Sequence, residues 1–164
     1  MERISQEQSL KILHVMLEIV GQYHDLSTLL IDCRIHRITY EPDFEPGTAC
    51  LDLLFLRNGF HGWWENEYGP YNLRISALDP PYEKAVSLGH EIGHVVLDFL
   101  RVGRESRERW PELCRLAAQI NFSEDEEDLC DRFAEKWFET IPYQRTLMRL
   151  LEHIRISDEF IVLL

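Results

Sequence analysis

The chain is short of positive charge. Among its 164 residues, 17 Lys and Arg stand against 29 Asp and Glu, a formal net charge of -12. A surface of that sign disfavours direct binding to nucleic acid or to an anionic membrane, since both require a positive footprint. It leaves a basic protein partner open. Long apolar runs are also missing: the longest is a few residues, against the roughly 20 that a spanning helix needs, so no membrane span is expected. The N-terminal stretch MERISQEQSL has no cationic segment leading into an apolar one, so no signal peptide is expected. Cys33, Cys50, Cys114 and Cys130 form no CxxC pair and are widely spaced. That favours free thiols in a reducing, cytoplasmic setting over a disulfide framework. No repeat, low-complexity tract or linker interrupts the chain, and residues 1–164 read as one domain. With 45% hydrophobic and 28% charged residues, the balance is globular.

What is present begins as an amphipathic helix over 4–20. Ser5 and Gln8 are spaced as a capping box, Ile12, Leu13, Met16, Ile19 and Val20 recur at helical spacing, and Gly21 is a stop. Residues 29–40 alternate enough for a strand, with a helix followed by a strand as the alternative. Two prolines and a glycine make 41–47 a loop. Leu51–Leu56 reads as a strand, NGF at 58–60 as a turn, and 61–68 and 71–76 as strands about Gly69–Pro70. Asp79-Pro80-Pro81 closes the strand region. Helices are then expected over 83–100, 107–121, 124–139 and 143–154, with Ser123 and Glu126 spaced as a second capping box. A helix, a small mostly antiparallel sheet and a run of helices is an α+β order.

One constellation carries chemistry. Residues 90–94 read His-Glu-Ile-Gly-His inside the helix expected over 83–100. Positions four apart share a helix face, so His90 and His94 can aim two imidazoles at one ion. Glu91 is placed to reach a water there without binding the ion. That is the arrangement zinc-assisted hydrolysis requires: two His ligands and a Glu that takes the water's proton. The neighbours Val86, Leu88, Ile92, Val95, Val96, Leu97 and Leu100 are apolar, so the helix is expected to be buried, and buried imidazoles need a partner. Gly89 and Gly93 each cost about 1 kcal/mol against Ala in a helix. Their presence implies that another segment, or a substrate, comes close at that point.

A catalytic zinc site takes three protein ligands. Positions 97 and 100 are both Leu, so no third His follows on the same helix. Glu127 is the leading candidate, with Glu124 and Asp128 as rivals. Asp98 is a poor one, because ligands on three consecutive turns of a straight helix spread over about 12 Å. Asp131, one turn beyond Glu127, can accept a hydrogen bond from the far nitrogen of a ligand His and hold its tautomer. An acidic first turn also favours a helix N-terminus without any metal. Cys130 reads as a small buried residue before it reads as a thiolate ligand.

HEIGH at 90–94, a small sheet before it and ExxCDRFA at 127–134 resemble the ImmA/IrrE group of bacterial and phage metallopeptidases, zincins with a Glu third ligand. The segment with Gly59, Gly62 and Ile75 also fits, and the likeness spans about residues 50–142. Pro142 stands two residues later than is usual there, and Asp98 stands where a His is common. The resemblance implies a zincin-like fold, Zn2+ held by His90, His94 and Glu127, and Glu91 as the catalytic base. It also implies a cytoplasmic protein that cleaves a helix-turn-helix transcriptional repressor.

Phe60, His61, Trp63 and Trp64 form an aromatic cluster, expected as packing or as a peptide-binding rim. Tyr68, Tyr71, Tyr82 and Tyr143 are the possible oxyanion donors. The substrate peptide is expected to extend along an edge strand at Tyr71–Ser76 by strand addition. Two other classes compete with a zinc metallopeptidase: a zinc-stabilised interaction module without catalysis, and a metal-free binding domain.

Overall fold

A computed structural model of the chain describes residues 4–53, 71–120, 124–153 and 159–161. The fold is α+β, with helices in the majority. The first helix, α1 (Gln6–Val20), starts as its sequence dictates. Ser5 Oγ accepts from the Gln8 N–H at 3.1 Å, and Gln8 Oε1 accepts from the Ser5 N–H at 2.8 Å. Ile12, Met16 and Ile19 face the core, and Gly21 ends the helix. The alternating stretch 29–40 divides into helix and strand. Asp25 caps α2 (Leu26–Asp32) through the Thr28 N–H at 2.8 Å, and Arg34, at φ 61, turns the chain into β1 (Ile35–Glu41).

The sheet also contains β2 (Ala49–Leu53), β3 (Tyr71–Ser76) and β4 (Glu159–Ile161), in the order β2-β3-β1-β4. The outer pairings are antiparallel, but the central one, β1 with β3, is parallel, so the sheet is mixed. This overturns the strand-addition site expected at Tyr71–Ser76. β3 is bonded on both sides and has no free edge. Among the described residues the edge strand next to the cleft is β2. The cause is general: alternation tells which face a residue takes, not which strand lies beside it. The expected 54–56 end of the second strand, the 58–60 turn, the 61–68 strand, the aromatic cluster and Tyr68 lie outside the described residues.

Beyond Asp79, Pro81 begins the central helix α3 (Pro81–Val102), where its missing N–H is no loss. Its buried stripe includes Leu88, Ile92, Val96 and Leu100. The single helix expected over 107–121 is two, α4 (Arg104–Arg109) and α5 (Pro111–Gln119). Pro111 forces the residue before it out of the helical region, and Trp110 sits at φ -133, ψ 64. The chain then forms α6 (Glu124–Thr140) and α7 (Gln144–His153). The four cysteines are free thiols. Among the described residues no helix is long and apolar enough to cross a membrane.

The crossing of α3 and α6 explains the two glycines. A Cβ on Gly89 would lie 2.8 Å from the Trp137 ring and 3.1 Å from the Ala134 Cα. A Cβ on Gly93 would lie 3.0 Å from the Phe133 ring and 3.3 Å from Cys130 Sγ. Glycine on one helix and small residues, Cys130 and Ala134, on the other let the backbones approach closely. The segment anticipated from Gly89 and Gly93 is therefore α6, and this approach carries Glu127 and Asp131 toward the histidines.

Candidate metal centre

The site assembles from two helices. On α3, His90 and His94 stand one turn apart on one face, with side chains 16% and 19% exposed. On α6, Glu127 and Asp131 repeat the same four-residue step. The Nε2 atoms of His90 and His94 lie 3.0 Å apart, His90 Nε2 is 2.9 Å from Glu127 Oε2, and His94 Nε2 is 3.1 Å from Glu127 Oε1. Among the described residues this is the group of His, Cys, Asp and Glu whose ligand atoms converge closely enough for one ion. A tetrahedral zinc with bonds of about 2.0–2.1 Å keeps its ligand atoms about 3.3–3.4 Å apart. The observed spacings, which run from the two imidazoles to the two different oxygens of Glu127, are a few tenths of an ångström tighter, which small side-chain rotations relieve. The donor set, two imidazoles and a carboxylate, is the one zinc takes in hydrolytic sites.

The supporting contacts fix the ligands. Asp131 Oδ1 lies 2.7 Å from His90 Nδ1; with a proton on that nitrogen, as a ligand His requires, Nε2 would face the cluster with its lone pair. His94 has a different partner, one the sequence reading passed over. The Glu126 side chain, expected to reach back to Ser123, faces inward instead and is 1% exposed. Its Oε1 lies 2.6 Å from Arg101 Nη2 and 3.9 Å from His94 Nδ1. Ser123 itself lies outside the described residues. The available signal was an arginine closing a buried helix and an acidic residue directly before Glu127, which the spacing from Ser123 assigns to a capping box instead.

The rivals fall away. Asp98 accepts from Arg101 Nη1 at 2.8 Å, and Asp128 pairs with Arg132 at 3.2 Å. Glu124 is exposed and outside the cluster. Cys130 is buried beside Gly93 and is not among the converging ligand atoms.

Glu91 is 8% exposed and borders the open cleft of about 620 Å³ that the ligands also line. Burial pushes its carboxyl above the usual range, against the pull of His94 and His90. Burial acts to lower His94, but the neighbouring Cys130, Glu126 and Glu91 outweigh it and carry that group up to about 11. Burial acts to raise Glu126, yet His94 and Arg101 hold it below the usual carboxylate range.

Across the cleft lie Gly47, Thr48 and Ala49, at the entry to β2. Gly47, at φ 82, donates its N–H to both Asp79 oxygens at 2.9 and 3.0 Å. Of the tyrosines, Tyr82 stands exposed on the rim and Tyr71 lines an adjoining arm of the cleft. Tyr143 is buried against Trp137, away from it. No protein-family model matches the chain, and no curated protein or solved structure matches it either.

Proposed function

We propose that this chain is a zinc-dependent metallopeptidase of the zincin type, as its HEIGH and ExxCDRFA segments resemble. The observation that carries the reading is the convergence of His90 Nε2, His94 Nε2 and the Glu127 carboxylate, whose Oε2 lies 2.9 Å from His90 Nε2 and whose Oε1 lies 3.1 Å from His94 Nε2, beside the buried carboxylate of Glu91. Three converging protein ligands among the described residues also favour a catalytic site over a closed structural one, which takes four. The zinc-stabilised interaction module without catalysis remains the reading to which a fourth protein ligand would point.

Zinc held there supplies a Lewis acid that polarises a carbonyl and acidifies a water. The remaining work belongs to the chain. Glu91 takes a proton on its carboxylate and hands it to the departing amine nitrogen. Its burial raises its affinity for that proton toward the working pH. Asp131 keeps the proton of His90 on Nδ1. The edge of β2 that is unpaired among the described residues would offer backbone donors and acceptors to an extended peptide, which strand addition would align along the cleft. The substrate is a protein, for which the family resemblance suggests a helix-turn-helix repressor. Direct contact with nucleic acid or membrane is disfavoured by the charge of -12.

Glu91→Gln tests the reading. The variant should retain bound zinc, by elemental analysis, and lose about 10²–10⁴-fold in cleavage of a fluorogenic peptide library. A Gln variant that cleaves as fast as the parent removes the assigned base.

A further inference from the structure

Glu126 and Glu127 are adjacent in sequence and opposite in environment. The Glu126 side chain is 1% exposed and that of Glu127 is 61% exposed. Glu127 therefore has little packing of its own to hold it. It also stands in the first turn of α6, where backbone N–H groups lack intrahelical partners and helices fray. Its neighbour is anchored. Arg101 Nη2 contacts Glu126 Oε1 at 2.6 Å. The same guanidinium donates Nε to the Ala117 carbonyl at 3.1 Å, Nη2 to the Ile120 carbonyl at 2.6 Å and Nη1 to Asp98 at 2.8 Å. One planar fork thus ties the end of α3 to the end of α5 and to the first turn of α6, which a lysine's single ammonium could not do.

The anchored carboxylate also faces a ligand. Glu126 Oε1 is 3.9 Å from His94 Nδ1, while His94 Nε2 faces His90 and Glu127. Each imidazole thus has a carboxylate on its far nitrogen side, Asp131 for His90 and Glu126 for His94. We infer that Arg101 and Glu126 are a positioning pair for the metal centre. Glu126 orients the His94 ring, and Arg101, by fixing Glu126, fixes the turn of helix from which Glu127 reaches the ion. The inference rests on the zinc reading of this site. It predicts that the pair sets metal affinity and geometry, whereas a merely structural ion pair sets stability alone.

The two are separable, because replacing a buried ion pair by apolar residues of similar size often leaves stability intact. Three variants of the full chain are compared with the parent: Glu126→Gln, the double variant Arg101→Met with Glu126→Leu, and Asp98→Asn. Zinc affinity is read by competition with a chromophoric chelator, folding by circular dichroism and thermal unfolding, and geometry by the visible spectrum of the cobalt(II) form. Glu126→Gln and the double variant should bind zinc about 10–100-fold more weakly while folded, the loss typical when an outer partner of a ligand His is removed. Their cobalt spectra should depart from the parent's. Asp98→Asn, which cuts only the solvent-side contact, should bind zinc as the parent does. A folded double variant, or a folded Glu126→Gln, with the parent's zinc affinity and cobalt spectrum overturns the inference. Parent chain binding zinc no better than His90→Ala defeats the metal reading instead, and that result is distinguishable because it appears before any change at Arg101 or Glu126.

Discussion

Two walls border the cleft, and they are held by different physics. On the ligand wall, α3 meets α6 through glycine and apolar contact. Gly89 sits under Trp137 and Ala134, and Gly93 sits under Phe133 and Cys130. On the facing wall, the stretch from Phe44 to Ala49 is held by polar ties. Gly47 is bonded to Asp79, and Ser76 Oγ donates to the Phe44 carbonyl at 2.9 Å. Arg74, 35% exposed, bridges Glu41 at 3.0 Å and Asp52 at 3.2 Å. Close-packed contact transmits strain and resists displacement, whereas an exposed ion pair contributes about 0–1 kcal/mol. The contrast suits the proposed chemistry. Ligands need placement to about 0.5 Å, while a wall that receives a peptide has to adjust. Perturbing the first wall should therefore act on the metal, and perturbing the second should act on substrate alone.

The largest effect is expected from protons on the ligand wall. In protein free of metal, the His94 pKa is raised to about 11 from the ordinary 6.5. The bound proton stabilises the metal-free fold fully below pH 6.5, and that stability is lost as pH rises through about 11. Zinc must displace this proton. Apparent zinc affinity should therefore rise about tenfold per pH unit between roughly pH 7 and 9 on account of His94. The gain in Tm on adding zinc should grow over the same range. An affinity that is flat with pH would mean that His94 is neutral before zinc arrives.

Gly89→Ala comes next. The added methyl would meet the Trp137 ring at 2.8 Å and the Ala134 Cα at 3.1 Å, and Trp137 is 1% exposed, with no space to rotate into. Overpacking of this kind costs about 1–3 kcal/mol, against which alanine returns up to about 1 kcal/mol of helix propensity. A net fall in Tm of about 2–6 °C is expected, together with weaker zinc binding as α6 is pushed outward. A variant with raised Tm and unchanged zinc affinity would show that the crossing is not as tight as its contacts imply.

The ligand wall was also the more legible of the two in the sequence. His90 and His94 share a face because helical spacing is a local rule, and Gly89 with Gly93 announced a close neighbour without naming it. Glu127 could be chosen only by chemistry and resemblance. The step of α6 that presents it follows from Cys130 and Ala134 packing under the glycines and from the Arg101–Glu126 contact, both between distant segments. Glu126 was misread for the same reason. Its partner, Arg101, lies on another helix, and three-residue spacing from Ser123 reads as a capping box until the fold brings a cation to the carboxylate. On the other wall, the strand at Tyr71–Ser76 is read from the turn signal at Gly69–Pro70, which carries no information on its neighbours, so a central strand passed for an edge. Trp110–Pro111 was readable from the proline alone, but the helical spacing on both sides of it masked the break.

The smallest effect at the metal is expected from the facing wall. Asp79 is 4% exposed and accepts the Gly47 N–H on both oxygens, so Asp79→Ala releases the turn that leads into β2. The lost hydrogen bonds should cost about 1–2 kcal/mol. Zinc affinity should stay at the parent's value, because no ligand or ligand partner touches Asp79 among the described residues. The change should instead appear in peptide cleavage as a raised KM with kcat retained, since the freed turn loosens the edge on which the peptide is proposed to lie without moving the group that handles the proton. If zinc affinity falls in Asp79→Ala as it does in Gly89→Ala, the two walls form one mechanical unit, and the adjustable wall assigned to the peptide does not exist.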